Sequence, residues 1–503
     1  MRNQSRRLHS IFHALGHLLV IFSVIQLVPL LVVVLYWGQR GDGWETVAAF
    51  VVPAALSMGL GLGLLRWCRR EPMSTTAGML LCAVAWLATS AIGAVPFVIG
   101  IGSAYLDGFF EAMSGFTTTG ITVFMGLDDM PHSILFWRSL TQWVGGIGIL
   151  SFFLAIVSRG GGSAGAHHIY GAESHKISST RPTPGLFNTL KILWGIYSLF
   201  TVCCALLLWV EGQSLFDAIC HAFTALSTGG YSPHDASIAW YAQQGVSNYR
   251  AMEYTLTLFM MFGGMNFLVH YRVLTGDIRA LWKSTEIRLW WKLIGLFTVI
   301  IMAEHLLRGT DAPWSFPLVE ETFRKTVFQV IALLTTTGFG TQDINSPWFG
   351  AVARQLFLVM MVIGGCVGST GGGIKVLRIA VLKKLMGREL FKLRNSTSAV
   401  SDLVIDHQRV PDDETRRIAA LFFTWMALLL LGGAVTAALT DLDGWSSFSG
   451  MFSALGNIGP SYISVPEMVT IHWGVKITYI FGMLAGRLEI LPVLLLFSRR
   501  AWR

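Results

Sequence analysis

The chain contains YLDGFFEAMSGFTTTGIT at residues 105–122, and three later segments follow the same pattern. They are SLFDAICHAFTALSTGGYS (214–232), VEETFRKTVFQVIALLTTTGFGT (319–341) and DGWSSFSGMFSALGNIGPS (443–461). Taking the Gly after the polar residues as the register mark gives Gly120, Gly229, Gly338 and Gly459, which lie 109, 109 and 121 residues apart. Spacing this regular indicates internal repetition.

Each segment is too short and too polar to cross a membrane. A run such as 107–116 is about 15 Å long as a helix, which reaches only halfway through the hydrocarbon core. The chain must return as non-helical backbone, and such backbone is tolerated at that depth only where protein or a water-filled pore satisfies its carbonyls. An acidic residue at or near each helix start would complement the positive helix end; these residues are Asp107, Asp217, Glu321 and Asp443.

Four such segments around one axis predict a cation filter. Rings of backbone carbonyls can replace a cation's hydration shell, and Gly permits the conformations that turn successive carbonyls toward one axis. Any single copy would also fit a Gly/Ser/Thr turn in a hydrophobic hairpin, but four copies at matching places favour the filter. The expected ion-binding residues are Thr118, Thr119, Gly120, Ile121, Ser227, Thr228, Gly229, Gly230, Thr336, Thr337, Gly338, Phe339, Asn457, Ile458 and Gly459.

The overall composition places these segments in a membrane protein. Of 503 residues, 53% are hydrophobic and 13% are charged, against about a quarter charged in an ordinary soluble domain. Runs of apolar residues predict ten spans. They lie at about 15–37, 47–66, 77–101, 132–158, 187–210, 250–275, 289–307, 349–382, 415–440 and 473–498.

The predicted fold is an all-α integral membrane protein with ten transmembrane helices. Two extra N-terminal helices occupy residues 1–70, and four pseudo-symmetric helix–pore-loop–helix repeats surround one central pore. The repeats cover 71–180 with loop 1 (117–122), 181–285 with loop 2 (227–231), 286–395 with loop 3 (335–340) and 396–503 with loop 4 (456–461).

The distribution of charge predicts that both termini are cytosolic. Of the 37 basic residues, 28 fall on the side that holds the termini and 8 fall on or near the other side, as the positive-inside rule requires. Acidic residues run the opposite way. The outer face is therefore expected to be acidic, which suits the capture of cations.

The eighth span contains GGCVGSTGGGIK at residues 364–375. Each Gly costs about 1 kcal/mol relative to Ala in a helix interior, so this Gly-rich loop is predicted to be non-helical and flexible. A phosphate-binding P-loop is excluded, because Ile374 intervenes before Lys375 and Val376 follows it.

Arg487 lies inside the last span, in YIFGMLAGRLEILPVLLLF (479–497). An ionised side chain at mid-membrane costs about 2.5–3.5 kcal/mol and requires a partner or water. Glu489 is two residues away and would point to another face of a helix. Two interpretations follow: an ion pair with another helix, or a positive charge lining the conduction path.

These motifs together resemble the Trk/Ktr/HKT superfamily of potassium transporters, and in particular its bacterial Trk-type potassium-translocating membrane subunit. The resemblance spans nearly the whole chain. It is carried by TTTG (117–120), STGG (227–230), LTTTGFG (334–340), GNIGP (456–460), GSTGGGIK (368–375) and GRLEILP (486–492). It implies one potassium filter to which the central Gly of each loop contributes, with Gly120 where some plant members that carry sodium have Ser.

The resemblance also implies a gate and an activity. The Gly-rich loop would obstruct the pore from the cytosolic side, and Arg487 would line the path; the gate and pore residues are Gly368, Gly371, Gly372, Gly373, Lys375 and Arg487. The expected function is potassium uptake across the bacterial inner membrane, with K⁺ as the transported ion and no organic cofactor. The alternative is the potassium-binding subunit of an ATP-driven pump.

The expected partners are the lipid bilayer, a second copy of the chain in a homodimer and a cytosolic nucleotide-binding regulatory subunit. The basic region Arg378–Arg417 is a candidate docking surface for that subunit. No nucleic-acid partner is expected. An enzyme is not expected either, because the spans contain no paired carboxylates and no His/Asp/Glu cluster.

Overall fold

The computed structural model describes residues 2–159, 186–308, 315–395 and 401–502. The predicted boundary between the first and second repeats lies outside these residues. The helices are α1 (Arg2–Ile25), α2 (Leu30–Leu35), α3 (Trp44–Trp67), α4 (Thr75–Gly93), α5 (Val95–Ile101), α6 (Tyr105–Phe116), α7 (His132–Arg159), α8 (Leu186–Val210), α9 (Leu215–Leu226), α10 (Ala239–Gln243), α11 (Tyr249–Gly264), α12 (Phe267–Leu274), α13 (Ala280–Lys283), α14 (Thr285–Arg308), α15 (Phe316–Leu334), α16 (Ala351–Val362), α17 (Val376–Arg394), α18 (Asp412–Leu439), α19 (Gly444–Gly456), α20 (Val465–Thr470), α21 (Trp473–Arg487) and α22 (Leu491–Leu496). A short antiparallel hairpin, β1 (Val404–Ile405) and β2 (Gln408–Arg409), separates α17 from α18.

Six stretches of the described chain are long and apolar enough to cross a membrane. They are Arg6–Leu35, Trp44–Trp67, Thr75–Ile101, Asn188–Val210, Thr285–Arg308 and Asp412–Leu439. Large apolar side chains on these stretches face outward, such as Val34 at 72% exposed and Phe423 at 71%. A helix that is apolar on its outer face as well as its inner face is typical of a membrane span.

Three of the other predicted spans are each split into two helices. The sixth breaks at Met265–Asn266, between α11 and α12, and the eighth breaks at 363–375, between α16 and α17. The tenth breaks after Arg487, where Glu489 and Ile490 have φ of 59° and 67°. The expectation that Arg487 and Glu489 share one helix is therefore wrong, because α21 ends at Arg487 and Glu489 itself is left-handed.

Helices α6, α9, α15 and α19 each end at one of the four loops. An acidic residue lies in the first turn of α6 and of α9, and the Asp443 carboxylate accepts the Ser446 amide at the start of α19, at 3.1 Å. Helix α15 differs. It begins at Phe316, so Glu321 lies in its second turn, where it pairs with Lys325 at 2.7 Å. The predicted acidic start is wrong for α15.

Two apolar cores hold the helices together. One consists mainly of residues 193–363, from the predicted second and third repeats. The other combines residues 15–140 with residues 425–493, from the N-terminal helices and the predicted first and fourth repeats. Helix α21 packs on α6, so the C-terminal part of the chain lies against the N-terminal part.

Candidate functional site

The four helices that enter the loops end in the same hydrogen-bonded motif. In each loop the third residue donates its amide to the carbonyl five positions earlier; the N···O distances are 2.8 Å from Thr119, Gly229 and Thr337 and 3.1 Å from Ile458. The preceding residue is left-handed, with φ of 50° at Thr118, 54° at Thr228, 58° at Thr336 and 54° at Asn457. This is a Schellman C-cap, and it turns these loop amides back toward the helix.

Three of the left-handed residues are Thr, a β-branched type for which positive φ is a genuine outlier. Such backbone costs about 1–3 kcal/mol and persists only where the surroundings impose it, most often at functional sites. At the fourth place, Asn457 is a residue that tolerates this conformation. Because the same unfavourable conformation recurs in three loops, we infer that packing between the loops, rather than the conformational preference of Thr, holds their backbone in this shape.

A Gly with positive φ follows two residues later in every loop. Its φ is 84° at Gly120, 76° at Gly230, 83° at Gly338 and 105° at Gly459. The matching residue of loop 2 is therefore Gly230, and the choice of Gly229 as register mark is wrong by one residue. Gly229 takes the third position, where the other loops have Thr119, Thr337 and Ile458.

The four loops form a closed ring. A Cβ added to Gly120 would overlap the carbonyl oxygen of Gly229 in the next loop, and a Cβ on Gly459 would lie 3.1 Å from the carbonyl oxygen of Thr119. The two intermediate contacts are of the same kind, from Gly230 to the carbonyl of Thr337 and from Gly338 to the carbonyl of Ile458. Each Gly thus leaves room for a carbonyl of the following loop, and the fourth loop returns to the first.

A cavity of about 450 Å³ adjoins this ring and is lined by Gly120, Gly230, Gly338 and Gly459. Asp235 and Asp343 also line it. Beside them His234 joins two repeats, since its Nδ1 lies 2.5 Å from Asp128 and its Nε2 lies 3.4 Å from Asp217. Burial alone would lower the pKa of His234, but these two carboxylates outweigh it and raise the pKa.

Two expected ion-binding residues have core side chains. Ile121 is 3% exposed and Phe339 is fully buried, with the Phe339 ring 5.8 Å from that of His221. The Ile121 carbonyl accepts the Tyr231 hydroxyl at 3.3 Å. These two positions therefore differ from the Thr and Gly positions, whose backbone forms the ring.

The Gly-rich loop is a compact non-helical segment whose ends are tied together. Gly364 donates its amide to the Ile374 carbonyl at 2.9 Å, and Ile374 donates to the Val362 carbonyl at 3.1 Å. Gly368 and Gly373 have φ of 72° and 64°, which Gly adopts without steric cost. The prediction of a non-helical segment in this span is confirmed.

The Gly-rich loop packs directly against the ring. Gly372 donates its amide to the Thr336 hydroxyl at 2.7 Å, and the Thr370 hydroxyl donates to the carbonyl of Leu226 at 2.9 Å. A Cβ on Gly371 would lie 3.0 Å from the Thr335 carbonyl oxygen. The residues that the Gly-rich loop contacts come before the positive-φ Gly of each loop in the chain, whereas the cavity is lined by that Gly and by residues after it. The cavity and the Gly-rich loop therefore lie at opposite ends of the ring.

Arg487 binds the Gly-rich loop. It is 3% exposed, and its guanidinium donates to the carbonyls of Thr370 at 2.6 Å and Gly145 at 3.1 Å. Within the ranges described, no carboxylate lies within 4.0 Å of it, and Glu489 pairs with Arg378 at 2.7 Å. Among the described residues, Arg487 is therefore bound by backbone carbonyls rather than by an ion-pair partner. Lys375 adds a second cation, since its ammonium donates to the Gly371 carbonyl.

Comparison with known proteins assigns this architecture to a family. The family model of TrkH, described as a cation transport protein, matches residues 48–502. This chain belongs to the TrkH family. The family consists of transporters rather than enzymes, and the predicted resemblance to Trk-type proteins is confirmed.

Several known proteins are similar to the chain over nearly its whole length. The Trk system potassium uptake protein TrkH of Escherichia coli (strain K12) is 34% identical, with 98% of this chain and 99% of that protein covered. An uncharacterized cation transporter of Methanocaldococcus jannaschii is 31% identical, with 99% and 97% covered. The crystal structure of the potassium transporter TrkH from Vibrio parahaemolyticus matches with a TM-score of 0.84 at 29% identity, covering 99% of this chain and 100% of that one.

One side chain that braces the ring of this TrkH-family protein is not predicted from its sequence. Gln142 of α7 is fully buried, donates to the Gly229 carbonyl at 2.8 Å and accepts the Tyr231 amide at 3.1 Å. It occupies the space that a side chain at Gly229 would need. The available signal is a lone Gln in the apolar run 132–158, since polar groups inside spans are expensive and tend to be functional.

Proposed function

We propose that this chain carries potassium ions inward across a membrane through the ring of four loops. The observation that supports it most is the ring: four matched C-caps bring each third-position carbonyl against the Gly of the neighbouring loop. Rings of carbonyl oxygens can take the place of an ion's hydration shell. Ions bind at residues 118–121, 227–230, 336–339 and 457–459.

Potassium is favoured over sodium by two observations outside the geometry. Relatives that match this chain over their whole length are named potassium uptake proteins. Loop 1 has Gly120, where Ser accompanies sodium transport in some plant members of the superfamily.

Ions enter from the cavity and leave past the Gly-rich loop, which acts as the gate. Gly371, Gly372 and Gly373 are buried against the ring, so the loop must move before an ion can pass. Lys375 and Arg487 place positive charge beside it. That charge disfavours a cation resting below the filter, because like charges repel strongly where water is scarce.

The chain crosses the inner membrane ten times, with both termini cytosolic. Residues 1–70 form two helices outside the repeats, and the repeats occupy 71–180, 181–285, 286–395 and 396–503. Six crossings are supported by apolar length. The other four are the second helices of the repeats, namely α7 and the split pairs α11–α12, α16–α17 and α21–α22.

A second copy of the chain and a cytosolic nucleotide-binding regulator complete the transporter. The regulator docks on the basic region Arg378–Arg417, where Lys383, Lys384, Lys392 and Arg416 are exposed. Nucleotide binds the regulator, and no organic cofactor binds this chain.

Cation flux in liposomes tests the filter. Purified protein should pass potassium and rubidium in preference to sodium and lithium, and Gly120→Ser should lower that preference, because its side chain would displace the Gly229 carbonyl. Gly126→Ser is the matched control: its φ is 73°, but a Cβ there meets no atom within 4 Å. Unchanged ion preference in the Gly120→Ser variant would remove loop 1 from the filter.

A further inference from the structure

We infer that Glu286 and the hairpin segment 402–410 form a latch that holds the Gly-rich loop against the ring from the cytosolic side. This inference rests on the proposed gate role of the Gly-rich loop. It assigns a positioning role to Glu286, a buried acid just before the predicted span 289–307, and a mechanical role to the hairpin.

Glu286 ties the Gly-rich loop to the helix that follows it. It is the second residue of α14 and is 7% exposed. Its Oε1 accepts the amide of Val367 at 2.8 Å and the amide of Leu377 at 3.2 Å. Leu377 lies in the first turn of α17, where a carboxylate also complements the positive helix end. One carboxyl oxygen therefore links the middle of the loop to the start of α17 through two hydrogen bonds to backbone amides.

The hairpin covers the same place from outside. Its apolar side chains Leu403, Ile405 and Val410 form a cluster with Val367 of the Gly-rich loop and with Leu377 and Val381 of α17. This cluster is separate from the two large cores. The burial of this apolar cluster therefore depends on the hairpin remaining packed against the Gly-rich loop and α17.

The tip of the hairpin reaches the start of α14. Asp406 and His407 have φ of 44° and 65°, as in a two-residue type I′ turn. The Asp406 carboxylate accepts the backbone amide of Thr285 at 2.8 Å, and Thr285 directly precedes Glu286. A force on the exposed hairpin is thus transmitted by Asp406 to the residue beside Glu286 and by Ile405 to Val367.

The experiment measures loop position and flux separately, in the full-length protein without a regulator. Cys366 is the position probe, because it is buried beside Val367; the other five cysteines are replaced by Ser, and labelling by a water-soluble thiol reagent is timed in detergent solution. Rubidium flux is measured in liposomes. The variants are Glu286→Ala, Glu286→Gln and Asp406→Ala, with Asp277→Ala as the control, since Asp277 is a partly exposed acid that pairs with Lys283 at 3.7 Å.

Glu286→Ala should label Cys366 many-fold faster and raise rubidium flux. Glu286→Gln should regain much of the protection, because an amide oxygen can still accept both amides. Asp406→Ala should give an intermediate rate, and Asp277→Ala the parent rate. Equal labelling of the Gln and Ala variants would overturn the assignment of the two amide bonds.

Two outcomes separate the latch from the gate. Faster labelling with unchanged flux would support the latch and overturn the gate role of the Gly-rich loop. Parent-like labelling in both Glu286→Ala and Asp406→Ala would overturn the latch, whatever the flux. If Glu286→Ala does not fold, Asp406→Ala decides alone, because Asp406 is half-buried at the hairpin tip, outside the two large cores.

Discussion

Both the ring of loops and the Gly-rich loop depend on Gly, but Gly has a different structural role in each. In the ring, Gly recurs at four equivalent places and makes room for a neighbouring carbonyl each time. The Gly-rich loop lies between α16 and α17, and its Gly residues allow backbone to pack on the ring without side chains. An ion filter requires similar contacts to the ion from every side. One movable segment is enough to close the ion path. In the proposed function, selectivity would depend on the four matched loops, and gating on the single Gly-rich loop that differs from them.

The largest effect should follow from forcing two loops apart. Gly338→Ala would put a methyl group on the Ile458 carbonyl oxygen in left-handed backbone, so rubidium flux in liposomes should fall to that of protein-free vesicles. Gly340→Ala is the control within the same loop, because its Cβ would meet only the Gln342 carbonyl, at 3.6 Å, and most of the flux should remain. Normal flux through folded Gly338→Ala protein would contradict a closed ring.

A smaller effect is expected on the gate side of the ring. Arg487→Gln removes a buried positive charge that binds the Thr370 carbonyl, so flux without a regulator should rise several-fold while the potassium-to-sodium ratio stays the same. Arg487→Lys keeps the charge and should remain nearer the parent. A change in the ion ratio would show that gate and filter are not separate.

The smallest effect concerns Gln142, which braces loop 2. Gln142→Leu deletes two hydrogen bonds to loop 2, each worth about 1 kcal/mol net, so the potassium preference should fall a few-fold with flux retained. Gln26→Leu controls for the loss of a buried Gln, since Gln26 bonds Ser57 at 2.8 Å between α1 and α3. An unaltered preference in Gln142→Leu would mean that loop 2 keeps its shape without the brace.

Prediction from sequence succeeds where residues depart from the apolar background. The four loops, the Gly-rich loop and Arg487 are all visible in that way. It fails where two neighbouring residues fit a pattern equally well. In loop 2, both Gly229 and Gly230 could be the positive-φ Gly, and only the backbone angle distinguishes them. It also fails for Glu321, because nothing local shows that α15 begins well before it.

The sequence by itself determines that this is a membrane protein and predicts four similar segments too short to cross, because apolar length and the order of polar breaks are properties of the chain alone. The tertiary structure decides which carbonyl meets which Gly, why Thr118 and its equivalents are held left-handed, and that Glu489 binds Arg378 rather than Arg487. These outcomes depend on contacts between different repeats. Such contacts join parts of the chain that lie far apart in sequence, so they exist only in the folded protein.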